Sequence, residues 1–340
     1  MIEHYIRGFE EELREIRHQI HENPELGLQE FKTSALVAEK LRQWGYEVEQ
    51  GLATTGVVAT LKVGDGEKSI GLRADMDALP IYENSGKPWA SKHPGLMHAC
   101  GHDGHTTILL GAARYFAETR RFNGTLRLIF QPAEEMINGG EIMVKEGLFD
   151  RFPCDVIFGM HNMPGLPVGK FFFQPGALMA SMDQFHITVR GCGGHGAIPH
   201  KAIDPVLVAA HITTALQSIV SRNVDPLEAA VITVGSIVAG EAANVIPDSA
   251  EMKISVRSLS RDTQQLLLTR IPALAQTQAA SFGATAEVTH VNGTPVLVND
   301  EEMARFAWQV ACKTFGEDRA EFGIKPLMGS EDFSFMLEAQ

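Results

Sequence analysis

The sequence predicts an α/β protein with two domains. The first has a largely parallel sheet flanked by helices, and an α+β domain with one sheet and two helices is inserted into it. In the first half of the chain, short apolar segments alternate with amphipathic ones, the pattern of strands connected by helices. Near Gln184 the strands become alternately apolar and polar, and their order with two helices is βαββαβ. We therefore expect the first domain over 1–180 and 294–340 and the inserted domain over 181–293.

Hydrophobic periodicity places the elements of the first domain. Apolar residues at helical spacing, among them Phe9, Ile16 and Ile20, predict one amphipathic helix over 2–20. Gly45 is a plausible C-cap of the second helix, and Asp65-Gly66 is a hairpin turn signal. The complete prediction is helices at 2–20, 30–44, 106–119 and 140–146, and strands at 57–63, 69–74, 124–130 and 155–160.

The inserted domain is predicted from the same patterns. Its alternating segments predict strands that are buried on one face only. Strands are expected at 185–190, 229–236, 250–258 and 284–291, and helices at 205–220 and 261–282. A helix at 301–315 is expected to return to the first domain.

Composition narrows the class of partner. The net charge is −13 and no run of Lys or Arg is present, which argues against nucleic acid or an anionic membrane as the main partner. No apolar run reaches the length of a membrane span, and the N-terminus lacks the pattern of a signal peptide. The four cysteines are widely scattered, so we expect a reducing cytoplasm rather than a disulfide framework.

The stretch 98–105 concentrates groups that bind metals. It contains His98, Cys100, His102, Asp103 and His105, with two glycines between them. Taken singly, each is more often an ordinary structural residue, but five such groups with no bulky apolar neighbour are hard to bury as core. Imidazole and thiolate are ligands that zinc selects, and glycine lets the backbone turn tightly enough to converge them. The stretch predicts a metal site.

Further candidate ligands follow two predicted strands. Glu134 and Glu135 come directly after one strand, and His161 comes directly after another. Adjacent acidic residues are commonly solvated, but the carboxyl ends of strands in α/β sheets are where active sites form. With Cys100 and His102, these residues make a mixed N/S/O donor set for two divalent metals. Hydrolases with two metals use them to lower the pKa of a water molecule.

Six motifs in order resemble the M20 peptidase family, in its aminoacylase-like branch. That branch includes hippurate hydrolases, N-acyl-amino-acid deacylases and auxin-conjugate hydrolases, so the resemblance implies hydrolysis of the amide bond of N-acyl amino acids by a metal-activated water. A dipeptidase or carboxypeptidase-like enzyme of the same family is the alternative. The motifs occupy 18–25, 73–80, 98–105, 131–135, 159–162 and 329–333.

The resemblance also implies roles for residues of the first domain. Cys100 is expected to be a thiolate that bridges two divalent ions per subunit, either zinc or manganese, cobalt or nickel. His102, Glu135 and His161 are expected to be further ligands. Glu134 is expected to be the general base that passes a proton to the leaving amine.

Other implied roles concern positioning and substrate binding. Asp75 or Asp77 is expected to orient a ligand, and the sequence leaves the choice open. The inserted domain is expected to be a lid through which two subunits form a homodimer, with His195 reaching the partner's site. Asn244 and Arg257 are expected to contact the substrate's carboxylate, which Arg can bind in bidentate fashion.

One feature departs from the family pattern. Family members take a last metal ligand, a His, from a segment after the motif at 329–333, whereas no His follows His290 here. We therefore expect either a fragment of a longer protein or a second metal site that lacks a ligand. An inactive metal-binding homologue is the further alternative.

Overall fold

The structure is a computed structural model, which describes residues 2–340 apart from the side chains of Met136 and Ile137. The chain divides into two compact units. Unit 1 consists of the residues up to Pro167 with Phe335–Gln340, and unit 2 is Val168–Ser334. The boundaries that the sequence predicts for the first and inserted domains remain a prediction.

Unit 1 combines helices with one sheet, which confirms the α/β class. Its helices are α1 (Ile2–Arg7), α2 (Glu10–Glu22), α3 (Phe31–Gln43), α4 (His102–Thr119), α5 (Glu134–Ile137), α6 (Gly139–Lys145) and α7 (Leu148–Arg151). Its strands are β1 (Glu47–Leu52), β2 (Gly56–Val63), β3 (Ser69–Asp75), β4 (Gly124–Gln131) and β5 (Val156–Gly159).

The five strands form one sheet in the order β1-β2-β4-β3-β5. Strand β3 is parallel to β4 and β5, whereas β2 is antiparallel to β1 and β4. The sheet is thus mixed, where the sequence predicts a largely parallel one. The difference comes from β1 and β2. A short turn joins β1, which was not predicted, to β2, and β2 is also antiparallel to its other neighbour, β4. Short turns connect antiparallel neighbours, and parallel neighbours need long crossovers.

Two local predictions were wrong. The helix predicted over 2–20 is interrupted at Gly8, a residue that costs about 1 kcal/mol in a helix interior, and α2 then continues to Glu22. The hairpin at Asp65-Gly66 does not form, because β4 lies between β2 and β3 in the sheet. The amide of Gly66 instead donates to Asn123 Oδ1 at 2.7 Å, immediately before β4 begins.

Apolar side chains of α2, α3 and α4 pack against the sheet. Val37, Leu41, Leu110 and Leu128 are fully buried there. Complete burial of such a side chain contributes about 1.5–3 kcal/mol. This core holds the helix that carries the histidines of the 98–105 stretch against the sheet.

The parallel strands of unit 1 end at one edge of the sheet. Asp75 at the end of β3 lies opposite Gln131 at the end of β4, and Arg73 lies opposite Gly159 at the end of β5. Side chains that follow these strands therefore meet at the carboxyl edge, the usual position of a site in such a sheet.

Unit 2 contains the predicted βαββαβ order. Its strands are β6 (Phe171–Phe173), β7 (Gly176–Met179), β8 (Ser181–Arg190), β9 (Gly194–His195), β10 (Ala230–Val238), β11 (Val245–Ile246), β12 (Ser249–Ser258), β13 (Thr285–Thr294), β14 (Leu297–Asn299) and β15 (Ala320–Phe322). Its helices are α8 (Pro205–Arg222), α9 (Arg261–Ser281) and α10 (Glu301–Phe315), and α11 (Phe333–Ala339) is the last helix along the chain.

The main sheet of unit 2 is antiparallel, in the order β10-β12-β8-β13. Phe185, Ile187 and Val189 alternate with exposed residues along β8, and they are buried against α8 and α9. The alternation read from the sequence therefore identifies the buried face correctly. Across residues 2–340, the helices are all too short or too polar to span a bilayer.

Candidate metal centre

Helix α4 begins at His102, four residues before the predicted start. Gly101 precedes it with a φ of 92°, a left-handed conformation that glycine adopts at little cost. His102 and His105 are three positions apart, and because the helix starts at His102 the two side chains share one face of it. Both imidazoles are buried. The stretch read as an irregular loop is partly the first turn of a helix, and that turn aims two imidazoles at the carboxyl edge of the sheet.

His102 is held by a carboxylate on one side only. Its Nδ1 lies 3.1 Å from Asp77 Oδ1, and Nε2 has no hydrogen-bond partner although it is buried. Two further carboxylate oxygens lie near Nε2, that of Asp75 at 3.7 Å and that of Glu135 at 3.9 Å. A proton on Nδ1 that is donated to Asp77 leaves the Nε2 lone pair directed at this space.

Asp75 has a different set of partners. Its Oδ1 lies 2.6 Å from Nδ1 of His105, and its Oδ2 accepts from Arg73 at 2.8 Å. The other ring nitrogen of His105, Nε2, accepts from the amide of Asn162 at 3.0 Å. Both nitrogens of His105 are therefore used within the protein. The ring connects β3 to the segment after β5.

Cys100 and His161 lie side by side. The Sγ of Cys100 is 3.4 Å from Nε2 of His161, and Nδ1 of His161 is hydrogen-bonded to the carbonyl oxygen of Asn162. The structure thus brings two predicted ligands together from positions 61 residues apart. Gly101 lies against Asn162, where a Cβ would meet the Asn162 side chain.

The two glutamates lie on a tight turn at the end of β4. Ala133 has a φ of 56°, and the short helix α5 begins with Glu134. The amide of Glu135 donates to Asp77 Oδ2 at 2.9 Å, so Asp77 holds both His102 and the Glu135 backbone. Oε1 of Glu135 is buried without a hydrogen-bond partner.

This arrangement fits a divalent cation. His102 Nε2 and Glu135 Oε1 are buried polar atoms without partners, and such atoms are costly unless something binds them. Three overlapping groups of side chains could hold an ion, and within each group the ligand atoms lie within 4.8 Å of one another. The groups are Cys100 with His102 and His161, Asp75 with His102 and His105, and His102 with Glu134 and Glu135. Nitrogen, sulfur and oxygen donors together suit zinc and its neighbours in the transition series.

The electrostatics of the site favour positive charge. Burial favours the neutral imidazole of His102, but the carboxylates of Asp75 and Asp77 outweigh burial and hold its pKa well above the usual value. Burial likewise opposes ionisation of Asp75, yet His102 and Arg73 hold its pKa well below the usual value. Burial raises the pKa of Glu135 and of Cys100. A divalent ion supplies charge that stabilises the ionised carboxylate and thiolate.

The remaining members of the 98–105 stretch belong to a separate polar cluster. Asp103 accepts from Arg17 at 3.0 Å and lies 3.0 Å from Nδ1 of His21. Although burial opposes it, the hydrogen bond from His21 lowers the pKa of Asp103 to about 2. His98 is buried, and burial lowers its pKa to about 4. Arg17, His21 and Asp103 thus connect α2 to the first turn of α4, whereas both ring nitrogens of His98 are buried without a hydrogen-bond partner.

The predicted substrate residues all lie in unit 2. His195 is exposed and lies opposite Val245, and the carbonyl of Asn244 accepts from the amide of Gly196 at 2.8 Å. Arg257 is half-buried near the far end of β12, where it donates to the carbonyl of Met328 at 3.4 Å. Burial lowers the pKa of Arg257. The structure thus brings His195 and Asn244 together and places Arg257 apart from them within unit 2.

Sequence reasoning gave two residues around the site no separate role. His105 was named only as one of the metal-binding groups of the stretch 98–105, although its spacing of three from His102 is a helical signal. Glu30 is fully buried and bonds Ala133, 103 positions further along the chain. No local pattern in the sequence distinguishes Glu30 from the exposed acidic residues around it.

The fold and these donor groups define a class of protein, the hydrolases that work with divalent metal bound at the carboxyl edge of a mixed sheet. The sequence model of the peptidase family M20/M25/M40 matches residues 71–340. The chain belongs to this family, and it is a metal-dependent hydrolase of amide bonds.

Known proteins similar to this chain cover most of its length. It is 50% identical over 327 residues to the hippurate hydrolase of Campylobacter jejuni subsp. jejuni serotype O:2, covering 96% of this chain and 85% of that protein. It is 39% identical over 330 residues to the N-acetyl-L-cysteine deacetylase of Bacillus subtilis, covering 97% and 78%. A dinuclear metal-binding peptidase of the M20 family from Bacillus subtilis has a similar crystal structure, with a TM-score of 0.82 and 35% identity, covering 98% of this chain and 86% of that one.

Proposed function

We propose that this protein hydrolyses the amide bond of N-acyl amino acids, with divalent metal held around Cys100, His102, Glu135 and His161. The observation that carries the proposal is the position of Glu134 beside two buried, unpartnered donor atoms, His102 Nε2 and Glu135 Oε1. The 50% identity to a hippurate hydrolase supports an N-acyl amino acid as the substrate class.

The side chains around the site have different roles in the proposed reaction. Divalent ions, when bound, polarise the scissile carbonyl and lower the pKa of a water molecule. Glu134 takes a proton from the attacking water and returns it to the leaving amine, as a general base and then a general acid. Asp77 orients His102 and fixes the Glu135 backbone, and Asp75 orients His105 and holds Arg73. Of the two acidic residues, Asp77 is therefore the one we assign to orienting a ligand.

We assign substrate binding to unit 2. Arg257 is suited to bind the free carboxylate of an N-acyl amino acid, because guanidinium and carboxylate match in a bidentate pair. Asn244 precedes β12 and Arg257 lies near the other end of this strand, whose length from Ser249 to Arg257 is about 26 Å at roughly 3.3 Å per residue. That separation is too long for one small substrate to touch both residues of one chain. It supports a homodimer in which Asn244 and His195 serve the partner's substrate.

The dimer has a second support in the position of His195. It lies on a short exposed ladder with Val245, so its imidazole is available to a neighbouring molecule and can stabilise a developing oxyanion there. A thiol ligand such as Cys100 is best kept reduced, and we place the enzyme in the cytoplasm on that ground.

A substrate panel tests the proposal. The metal-loaded protein is assayed against N-benzoyl, N-acetyl and indoleacetyl amino acids, with dipeptides of matching sequence as the competing class. We expect turnover of at least one N-acyl amino acid, loss of turnover after chelation, and recovery on adding back zinc, manganese, cobalt or nickel. Cleavage restricted to dipeptides with a free amine would instead assign a peptidase. No cleavage of either class by the metal-loaded protein would overturn the proposal.

A further inference from the structure

The turn that carries Glu134 is held in an unfavourable backbone conformation. Ala133 has a φ of 56° and a ψ of 41°, which costs a residue with a side chain about 1–2 kcal/mol. It is enclosed as well, because a Cβ added at Gly27 would lie 2.8 Å from the Cβ of Ala133. The amide of Gly139 donates to the Ala133 carbonyl at 2.9 Å. Such a conformation persists only where neighbouring contacts hold it.

Glu30 supplies one of those contacts from the residue before α3. Its Oε1 accepts from the amide of Ala133 at 2.8 Å, and its Oε2 accepts from the hydroxyl of Thr55 at 2.6 Å. The side chain is fully buried. One carboxyl group therefore ties the start of α3, the turn between β1 and β2, and the turn at Ala133 to one another.

We propose that Glu30 is a positioning residue for Glu134, fixing the turn from which this base reaches the substrate. The amides on both sides of Glu134 are bound to carboxyl groups, since Ala133 donates to Glu30 and Glu135 donates to Asp77. Asp77 is also hydrogen-bonded to His102, so the Glu135 amide is fixed by a residue of the candidate metal centre. Glu30 fixes the other amide, and its side-chain hydrogen bonds go to Ala133 and Thr55. The inference rests on the proposed function of Glu134 as the base.

Loss of the Glu30 carboxyl leaves the Ala133 amide buried without an acceptor, which costs about 1–3 kcal/mol. The turn can relieve that cost by leaving the left-handed conformation, and Glu134 then moves with it. A displacement of roughly 1 Å at a reacting group costs on the order of 10²-fold in rate. Gln at position 30 keeps the shape, an oxygen for the Ala133 amide, and an amide group that can donate to Thr55.

The kinetic test compares Glu30→Ala with Glu30→Gln. We expect the Ala variant to lose about 10²-fold in kcat with little change in KM, and the Gln variant to stay within about 3-fold of wild type, since its contacts are kept. Glu25→Ala is the matched control. Glu25 lies five residues earlier and caps α3 through Thr33 at 2.9 Å, without touching the turn, so this variant should lose stability but keep kcat.

A second readout separates positioning from general damage and does not require activity. Exchange of the Ala133 amide with solvent should speed up at least 10-fold in Glu30→Ala relative to amides in β4, and remain slow in Glu30→Gln and Glu25→Ala. In a Glu134→Gln background, Glu30→Ala should lower the residual rate by less than about 3-fold, because its effect runs through Glu134. The inference would be overturned if the Ala133 amide exchanged at the wild-type rate in Glu30→Ala. It would also be overturned if Glu30→Ala lowered the catalytic rate by the same factor in the wild-type and Glu134→Gln backgrounds. An inactive wild-type protein would overturn the proposed function. The exchange of the Ala133 amide would then decide whether Glu30 holds the turn.

Discussion

The Nδ1 of His102 lies 3.1 Å from Asp77 Oδ1, while the Nε2 of the same ring is buried without a partner. The carboxylate of Asp77 favours a proton on Nδ1, and Nε2 is the nitrogen that faces the candidate metal centre. Carboxylates that hold a ligand imidazole in this way raise its basicity and its affinity for metal.

Asp77→Asn should therefore weaken metal binding. An amide at this position removes the charge behind His102 and can donate to Nδ1, which favours the tautomer that cannot bind metal through Nε2. We expect metal affinity to fall about 10–100-fold, measured by competition with a chromogenic chelator. Asp155→Asn is the control. Asp155 accepts from the amide of Ser69 at the start of β3, whereas Asp77 follows the end of that strand. Equal affinities for Asp77→Asn and wild type would show that Asp77 does not support the ligand.

Glu134→Gln should separate catalysis from metal binding. The substitution keeps the size of the side chain and removes the proton acceptor, so kcat should fall about 10²–10⁴-fold while metal content stays at the wild-type value. Glu141→Gln is the control, because Glu141 forms an ion pair with Lys145 within α6, the helix after the one that carries Glu134. A Glu134→Gln protein with wild-type kcat would rule out the assigned base, and one that lost its metal would make Glu134 a ligand.

Cys100 should be protected by metal against alkylation. A thiolate bound to a cation is a weaker nucleophile than a free one, so iodoacetamide should modify Cys100 faster in the chelated protein than in the loaded one. Cys192 is exposed and serves as an internal reference whose rate should not depend on metal. Peptide mass spectrometry gives both rates in one sample. Equal rates at Cys100 in the two states would count against ligation.

Mixing two inactive variants should restore activity if His195 acts on the partner's site. His195→Ala and Glu134→Gln remove groups from different units, so a mixed dimer keeps one complete site. Random pairing should recover about one quarter of wild-type activity. Glu134→Gln mixed with Glu134→Ala is the control, because both changes remove the same group and no complete site can form. An inactive mixed dimer, verified by mass, would show that His195 does not act across subunits.

The sequence predicted most of the fold because periodicity and local signals are carried by neighbouring residues. Strands β8, β10, β12 and β13, helices α8, α9 and α10, and helix α3 with Gly45 after it follow such signals. Strand β1 was missed because Glu47–Leu52 is mostly polar and exposed at the sheet edge. The order of β2, β4 and β3 was also missed, since pairing between distant segments leaves no local trace.

The candidate site was predicted in part for the same reason. The clustered residues Cys100, His102, Glu134 and Glu135 are visible as motifs. The start of α4 at His102 was not, because a glycine-broken polar stretch resembles a loop. Glu30 was not visible either, since its partners lie 25 and 103 residues away. Contacts of this kind are a property of the folded chain.

Glu30 should also make stability depend on pH. Burial raises the pKa of its carboxyl to about 7 in the folded protein, whereas a Glu in the unfolded chain ionises near 4.3. Between these values the folded state binds more protons than the unfolded state, so this group's contribution to stability falls as pH rises through the window. The full loss, reached above pH 7, is about 4 kcal/mol, since the two pKa values differ by about 2.7 units at about 1.4 kcal/mol for each unit. Glu30→Gln cannot ionise and should not show this loss.

The free energy of unfolding of wild type and Glu30→Gln should therefore be compared by urea denaturation, in the presence of a chelator, from pH 4.5 to pH 8. Taking the difference between the two proteins at each pH cancels the titration of the other groups. We expect the Gln variant to gain relative to wild type as pH rises, with most of the change between about pH 5 and pH 7. A difference that does not change with pH would mean that Glu30 ionises alike in the folded and unfolded states, and a difference that moves in favour of wild type would mean that the carboxylate is the form the fold stabilises.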